Sequence, residues 1–170
     1  MTILSLTLPI LQAHPVTSSQ PPHLFATYRS LITLLEAVES ADLRQNSFGD
    51  KHVIVVEGLK ASGKSSLALA LKDICPIIHV INPRSLDIYI LMTQILTPEI
   101  LRTLPFLSPL FHCLLNYYVA WVIINSSDRI FLVEEFFHAF IVQNVCGGGV
   151  EGIMPSTLQW PVDLPLPELV

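Results

Sequence analysis

Residues 52–72, HVIVVEGLKASGKSSLALALK, decide how the rest of the chain is read. Val53, Ile54, Val55 and Val56 are a short β-branched run, which reads as a fully buried strand. Gly58, Gly63, Lys64 and Ser65 fit G-x-x-x-x-G-K-[ST], the pattern of a phosphate-binding loop. Beyond it, Leu67 and Leu71 stand four apart among alanines, the spacing of a packed helix face. Strand, glycine loop and helix therefore follow in the order that phosphate binding requires. Backbone N–H groups at the helix start would face an anion, and the helix dipole favours negative charge there. Lys64 is expected to reach the outer phosphates and the Ser65 hydroxyl to ligate magnesium. The bland alternative is a strand–turn–helix corner with a surface lysine.

A chain of 170 residues is enough for one domain and one core. Charged residues make up only 14%, against about 25% in an average soluble domain. So apolar a chain either packs against something or belongs to a larger unit. The formal net charge of −5 argues against a nucleic-acid groove, and no nucleic-acid partner is expected. It leaves nucleotides open, because a phosphate loop works through local dipoles. Cys75, Cys113 and Cys146 lie far apart with no zinc spacing, and read as free, mostly buried thiols in a reducing compartment.

The most apolar long run, residues 110–124, holds His112 and Asn116 and spans fifteen positions. A spanning helix needs about twenty predominantly apolar residues, so a buried core helix is expected and no transmembrane span. The opening MTILSLTLPILQA lacks the positive residues of a secretory signal, and the first arginine is Arg29, too late for a well-formed mitochondrial transit peptide.

Residues 1–23 read as a disordered appendage, rich in proline, serine and threonine. From residue 24 a single domain is expected. Tyr28, Leu31, Ile32, Leu35 and Val38 recur at helical spacing, with Glu36 and Glu39 off the stripe. Cys75-Pro76 ends the helix after the loop. Ile77, Ile78, His79, Val80 and Ile81 form a second strand, which Asn82-Pro83 breaks. Strand, helix and strand within about thirty residues make a βαβ unit and hence a parallel sheet. Ser85 could cap a helix through Leu96, and Thr97-Pro98-Glu99 reads as another helix start. Residues 110–125 form the buried helix, and Ile130 to Val133 a third strand ending in Glu134 and Glu135. Phe136 to Asn144 reads as helix, stopped by Gly147, Gly148 and Gly149, with loop beyond.

In open α/β sheets, ligands bind beyond the carboxyl ends of the strands. Here those ends supply the phosphate loop, then Asn82 and Arg84, then Glu134 and Glu135, and they are expected to converge on one crevice. Arg84 and Arg102 either meet an anionic second substrate, since a guanidinium fork matches phosphate, or are solvated arginines. Glu134 either holds magnesium through water or is a polar strand end. Glu135 beside it is harder to use, because a second carboxylate repels phosphate. Phe111 either stacks on a base or fills the core. Lys60 either adds a cation to the loop or points outward, and His138 reads as structural.

VIVVEGLKASGKSSL resembles the opening strand and loop of thymidylate kinase-like nucleoside monophosphate kinases. Residues 114–138, LLNYYVAWVIINSSDRIFLVEEFFH, and Gln159-Trp160-Pro161 with Asp163-Leu164 resemble the mitochondrial UMP/CMP kinase branch of that family. The resemblance runs from about Tyr28 to Val170. It implies an α/β fold: a P-loop NTPase-type parallel sheet with helices on both faces, incomplete at the C-terminus. It implies transfer of the γ-phosphoryl of ATP, with Mg2+, to a pyrimidine nucleoside monophosphate. Gly58, Ala61, Ser62, Gly63, Lys64, Ser65 and Ser66 would hold the donor. Lys64, Arg84 and Glu134 would carry catalysis, Ser65 and Glu134 the metal, and Arg84, Arg102, Phe111 and Glu134 the acceptor. A homodimer is left open, and the location is mitochondrial by resemblance or cytoplasmic. The chain departs from the family where Glu134, Glu135 and Phe136 stand for Asp-Arg-Tyr, where Lys60 replaces the usual loop Asp, and where the lid arginines and adenine-binding loop are missing. A truncated or diverged copy follows, with a weak or inactive nucleotide-binding pseudokinase as the alternative.

Overall fold

The computed structural model describes residues 29, 32, 33, 36, 37, 48–98, 102, 107–136 and 164–167. The chain divides into two compact units, residues 1–42 with 84–118 and residues 43–83 with 119–170. The appendage at 1–23, the Gln-Trp-Pro stretch, the helix read at 136–144 with His138, the glycine stop at 147–149 and Cys146 lie outside the described residues.

The second unit contains a three-stranded sheet: β1 (His52–Val56), β2 (Ile78–Ile81) and β3 (Ile130–Glu134). All pairings are parallel and the order is β1-β3-β2. The α/β class and the parallel sheet therefore match the sequence reading. The βαβ unit is present, but its two strands are not neighbours, since β3 lies between them. Burial explains this arrangement. Phe131, Leu132 and Val133 are fully buried, as a strand covered on both faces must be. β1 alternates instead: Val53 and Val55 are buried while Ile54 and Val56 are only half-buried. β3, buried from Phe131 to Glu134, is thus the central buried strand rather than β1.

Helix α1 (Lys64–Ile74) follows the loop and packs on β2 and β3. Its one buried residue is Ala68, while Leu67 and Leu69 are exposed and Leu71 is half-buried. The expected Leu67–Leu71 face is therefore corrected. The helix meets the sheet through a small side chain, and Leu67 lies off that line. At the opposite end of the sheet, Lys51 Nζ donates to Ser126 O at 2.6 Å and Asp128 O at 3.0 Å. The turn into β3 is thereby tied to the start of β1.

After Asn82 the chain passes through a short 3-10 turn, Pro83–Ser85, within which the second unit gives way to the first at Arg84, and α2 (Asp87–Ile95) follows. Ser85 lies in that turn, and the N-cap is Leu86 with no side-chain hydrogen bond, so the expected serine cap is corrected. Asp87 in the first turn instead supplies negative charge where the helix dipole favours it. Ile88 and Met92, four apart, are buried. Arg29, Ile32, Thr33, Glu36, Ala37, Pro98 and Arg102 are helical, as expected of the segments around them.

Helix α3 (Leu107–Asn125) starts three residues before the expected point; its last residues, from Val119, are counted in the second unit. Pro109 is accommodated because it falls in the first turn, where its missing N–H has no helical partner to lose. Leu114 to Ala120 are all buried. Among the described residues, no helix is long and apolar enough to cross a membrane. Cys75 and Cys113 are free, and burial pushes the Cys113 thiol up to about 11, leaving it protonated and unreactive near neutral pH.

The central position of β3 yields a stability prediction. Leu132→Ala is expected to cost about 3 kcal/mol, as for other buried leucines, measured by urea unfolding. A loss below about 1 kcal/mol would place Leu132 nearer a surface than a central strand allows.

Candidate functional site

The site is built at the carboxyl ends of β1 and β3. Val56 pairs with Glu134 in the parallel register. One residue further on, Glu135 donates its N–H to Val56 O at 3.1 Å, and Phe136 donates its N–H to Glu57 Oε1 at 3.0 Å. The two strand ends are therefore bonded together just where the glycine loop departs.

The loop conformation follows from its small residues. Gly63 holds φ 87 and Gly58 φ 156, and a Cβ at Gly58 would lie 2.9 Å from Ser62 Oγ. Both positions favour glycine. Ala61 also holds a positive φ, 64, which for a non-glycine residue indicates a locally strained turn. Ser62 N–H closes a turn onto Leu59 O at 3.2 Å. Gly63 is the N-cap of α1, no side chain caps it, and the first turn contains no acidic residue. That is the arrangement in which helix N-terminal amides accept an external anion.

Five side chains converge beside this loop. Ser65 Oγ donates to Glu134 Oε2 at 2.6 Å, and Asn82 Nδ2 donates to the same oxygen at 3.3 Å. Glu134 is buried, so these donors offset the cost of removing its carboxylate from water. Lys64 Nζ donates to Gly58 O at 2.9 Å and Leu59 O at 2.8 Å, and pairs with Glu135 Oε1 at 3.1 Å. The expected meeting of strand ends is thus observed for the loop, Asn82 and Glu134. Ser65 and Glu134 present hard oxygen donors next to one another, which is the chemistry Mg2+ takes. Among the described residues no group of three or more His, Cys, Asp or Glu could hold a metal; a magnesium site of one carboxylate, one hydroxyl, water and phosphate does not require such a group.

Arg84, Arg102 and Phe111 belong to the first unit. Arg84 is exposed in the 3-10 turn directly after Asn82. Arg102 is exposed and donates from Nε to Pro98 O at 3.2 Å. Phe111 is buried, with its ring edge-on to Tyr89 at 5.8 Å. Lys60 is exposed on the loop. Two contacts were not read from the sequence: Glu57 accepting from Phe136, and Glu135 in its role as partner of Lys64. The signal for Glu57 is its position directly between a β-branched strand and the first loop glycine. No family model, curated protein or solved structure matches the chain.

The Ser65–Glu134 contact is testable by a double-mutant cycle in urea. Ser65→Ala combined with Glu134→Gln is expected to show a coupling of about 1.5 kcal/mol, the low end for a hydrogen bond to a charged group, since glutamine keeps an acceptor oxygen. Additive effects within about 0.3 kcal/mol would mean that the two side chains do not meet.

Proposed function

We propose that the chain is a nucleoside monophosphate kinase of the thymidylate kinase type, moving the γ-phosphoryl of ATP to a pyrimidine nucleoside monophosphate. The observation that carries this reading is the Ser65–Glu134 hydrogen bond at the mouth of a glycine loop whose lysine follows Gly63. Phosphate loop, hydroxyl and carboxylate are the parts that a magnesium–triphosphate site needs, and phosphoryl transfer depends mainly on positioning and charge. Ser65 and Glu134 would hold Mg2+, whose chemistry is to neutralise charge on the β- and γ-phosphate oxygens.

The remaining roles follow from the chain's own groups. Lys64 offers an ammonium to the outer phosphates, and the amides at the start of α1 cradle the inner ones. Asn82 and Ser65 fix the rotamer of Glu134. An oxygen of the acceptor phosphate bonds to the γ-phosphorus as the bond to the bridging oxygen breaks, releasing ADP and a nucleoside diphosphate. Arg84 and Arg102 for the acceptor phosphate, and Phe111 for its base, enter the proposal from sequence alone.

A second reading, a nucleotide-binding pseudokinase, draws on one specific contact: Glu135 occupies Lys64 and stands where the resembling family has an arginine. It predicts nucleotide binding without turnover.

A coupled assay separates the two. ADP formation is expected with at least one of CMP, UMP and dTMP, and Lys64→Ala should lower kcat/KM by about a hundredfold or more. No ADP with any of the three, in protein that still binds nucleotide, would replace the kinase reading with the second one.

A further inference from the structure

An ammonium has three hydrogens, and Lys64 has three oxygens around it: Gly58 O, Leu59 O and Glu135 Oε1, at 2.9, 2.8 and 3.1 Å. Its donor capacity is therefore filled from within the chain. The Lys64 side chain is only 10% exposed and that of Glu135 20%, so their attraction is less screened than that of a surface pair. Glu135 is also held from its backbone. It sits at φ 63, a conformation uncommon outside glycine, with its own N–H on Val56 O and the next N–H on Glu57. A strained residue pinned on both sides, with its carboxylate delivered to the loop lysine, is an arrangement that the surrounding structure over-determines.

We infer that Glu135 is the resident anion of the phosphate loop: its carboxylate holds the place on Lys64 that an outer phosphate of a polyphosphate ligand must take, and so sets the affinity of the site. The inference rests on the reading of the loop as a polyphosphate site. Binding requires the Lys64–Glu135 pair to open, and the released carboxylate then remains near the incoming negative charge. Both effects weaken binding, and both disappear when the charge at position 135 is removed. Glu135→Gln keeps the side-chain shape and removes the charge. Glu135→Gly removes the side chain and accepts φ 63 without strain.

The experiment is equilibrium dialysis of radiolabelled Mg·ATP against the full chain and the two variants. It runs beside acylation of Lys64 by an amine-reactive reagent, read by peptide mass spectrometry without nucleotide. Both variants are expected to bind Mg·ATP at least about fivefold more tightly, and to expose Lys64 to faster acylation. Equal affinity in all three proteins would overturn the role of Glu135 and leave the polyphosphate reading intact. Unchanged acylation would overturn it too, by denying the ion pair. Absence of binding in all three would overturn the polyphosphate reading itself, and the competitor role with it. If Glu135→Gln fails to fold, Glu135→Gly alone decides between these outcomes.

Discussion

The register that sets Val56 opposite Glu134 is the constraint on which the site depends. Side chains alternate across a strand, so a slip of one residue would turn Glu134 to the other face of the sheet. The register is secured from both ends. Lys51 ties the start of β1 to the turn before β3, and the N–H groups of Glu135 and Phe136 bond to Val56 and Glu57. Between these ties lie Phe131, Leu132 and Val133, whose complete burial makes any displacement costly. With the strand fixed, Glu134 meets Ser65 at the first turn of α1.

The charges at the strand ends follow from that placement. Two consecutive glutamates stand beside a loop suited to an anion, which looks self-defeating on electrostatic grounds. Each nevertheless has a separate set of partners. Glu134 accepts from a hydroxyl and an amide, while Glu135 turns through a positive φ to reach Lys64. The change in backbone conformation between neighbouring residues sends the two carboxylates to different cations or donors. Local geometry thus resolves a conflict that the sequence states only as Glu-Glu.

Much of the second unit was legible in the sequence because its signals are local. β-branched runs mark the strands, and the glycine–lysine–serine spacing marks the loop. What was not legible is pairwise. Nothing in the letters says that β3 enters between β1 and β2, since strand order reflects which strand must be covered on both faces. The leucines of α1 were misleading for the same reason: helical spacing identified a stripe, but the sheet is approached through Ala68, which carries almost no hydrophobic signal. Asn82 was placed at a strand end by sequence, whereas its bond to Glu134 required the strand order. The Lys64–Glu135 pair was hidden more deeply, because it depends on a positive φ at a residue type that seldom adopts one.

Calorimetric titration of ATP into the full chain, with and without magnesium, bears most directly on the central claim that the glycine loop and the Ser65–Glu134 corner together form a magnesium–polyphosphate site. Saturable heat with magnesium, and a much weaker response after chelation, is the predicted result. A folded protein that gives no heat in either condition, or equal heat in both, would contradict it.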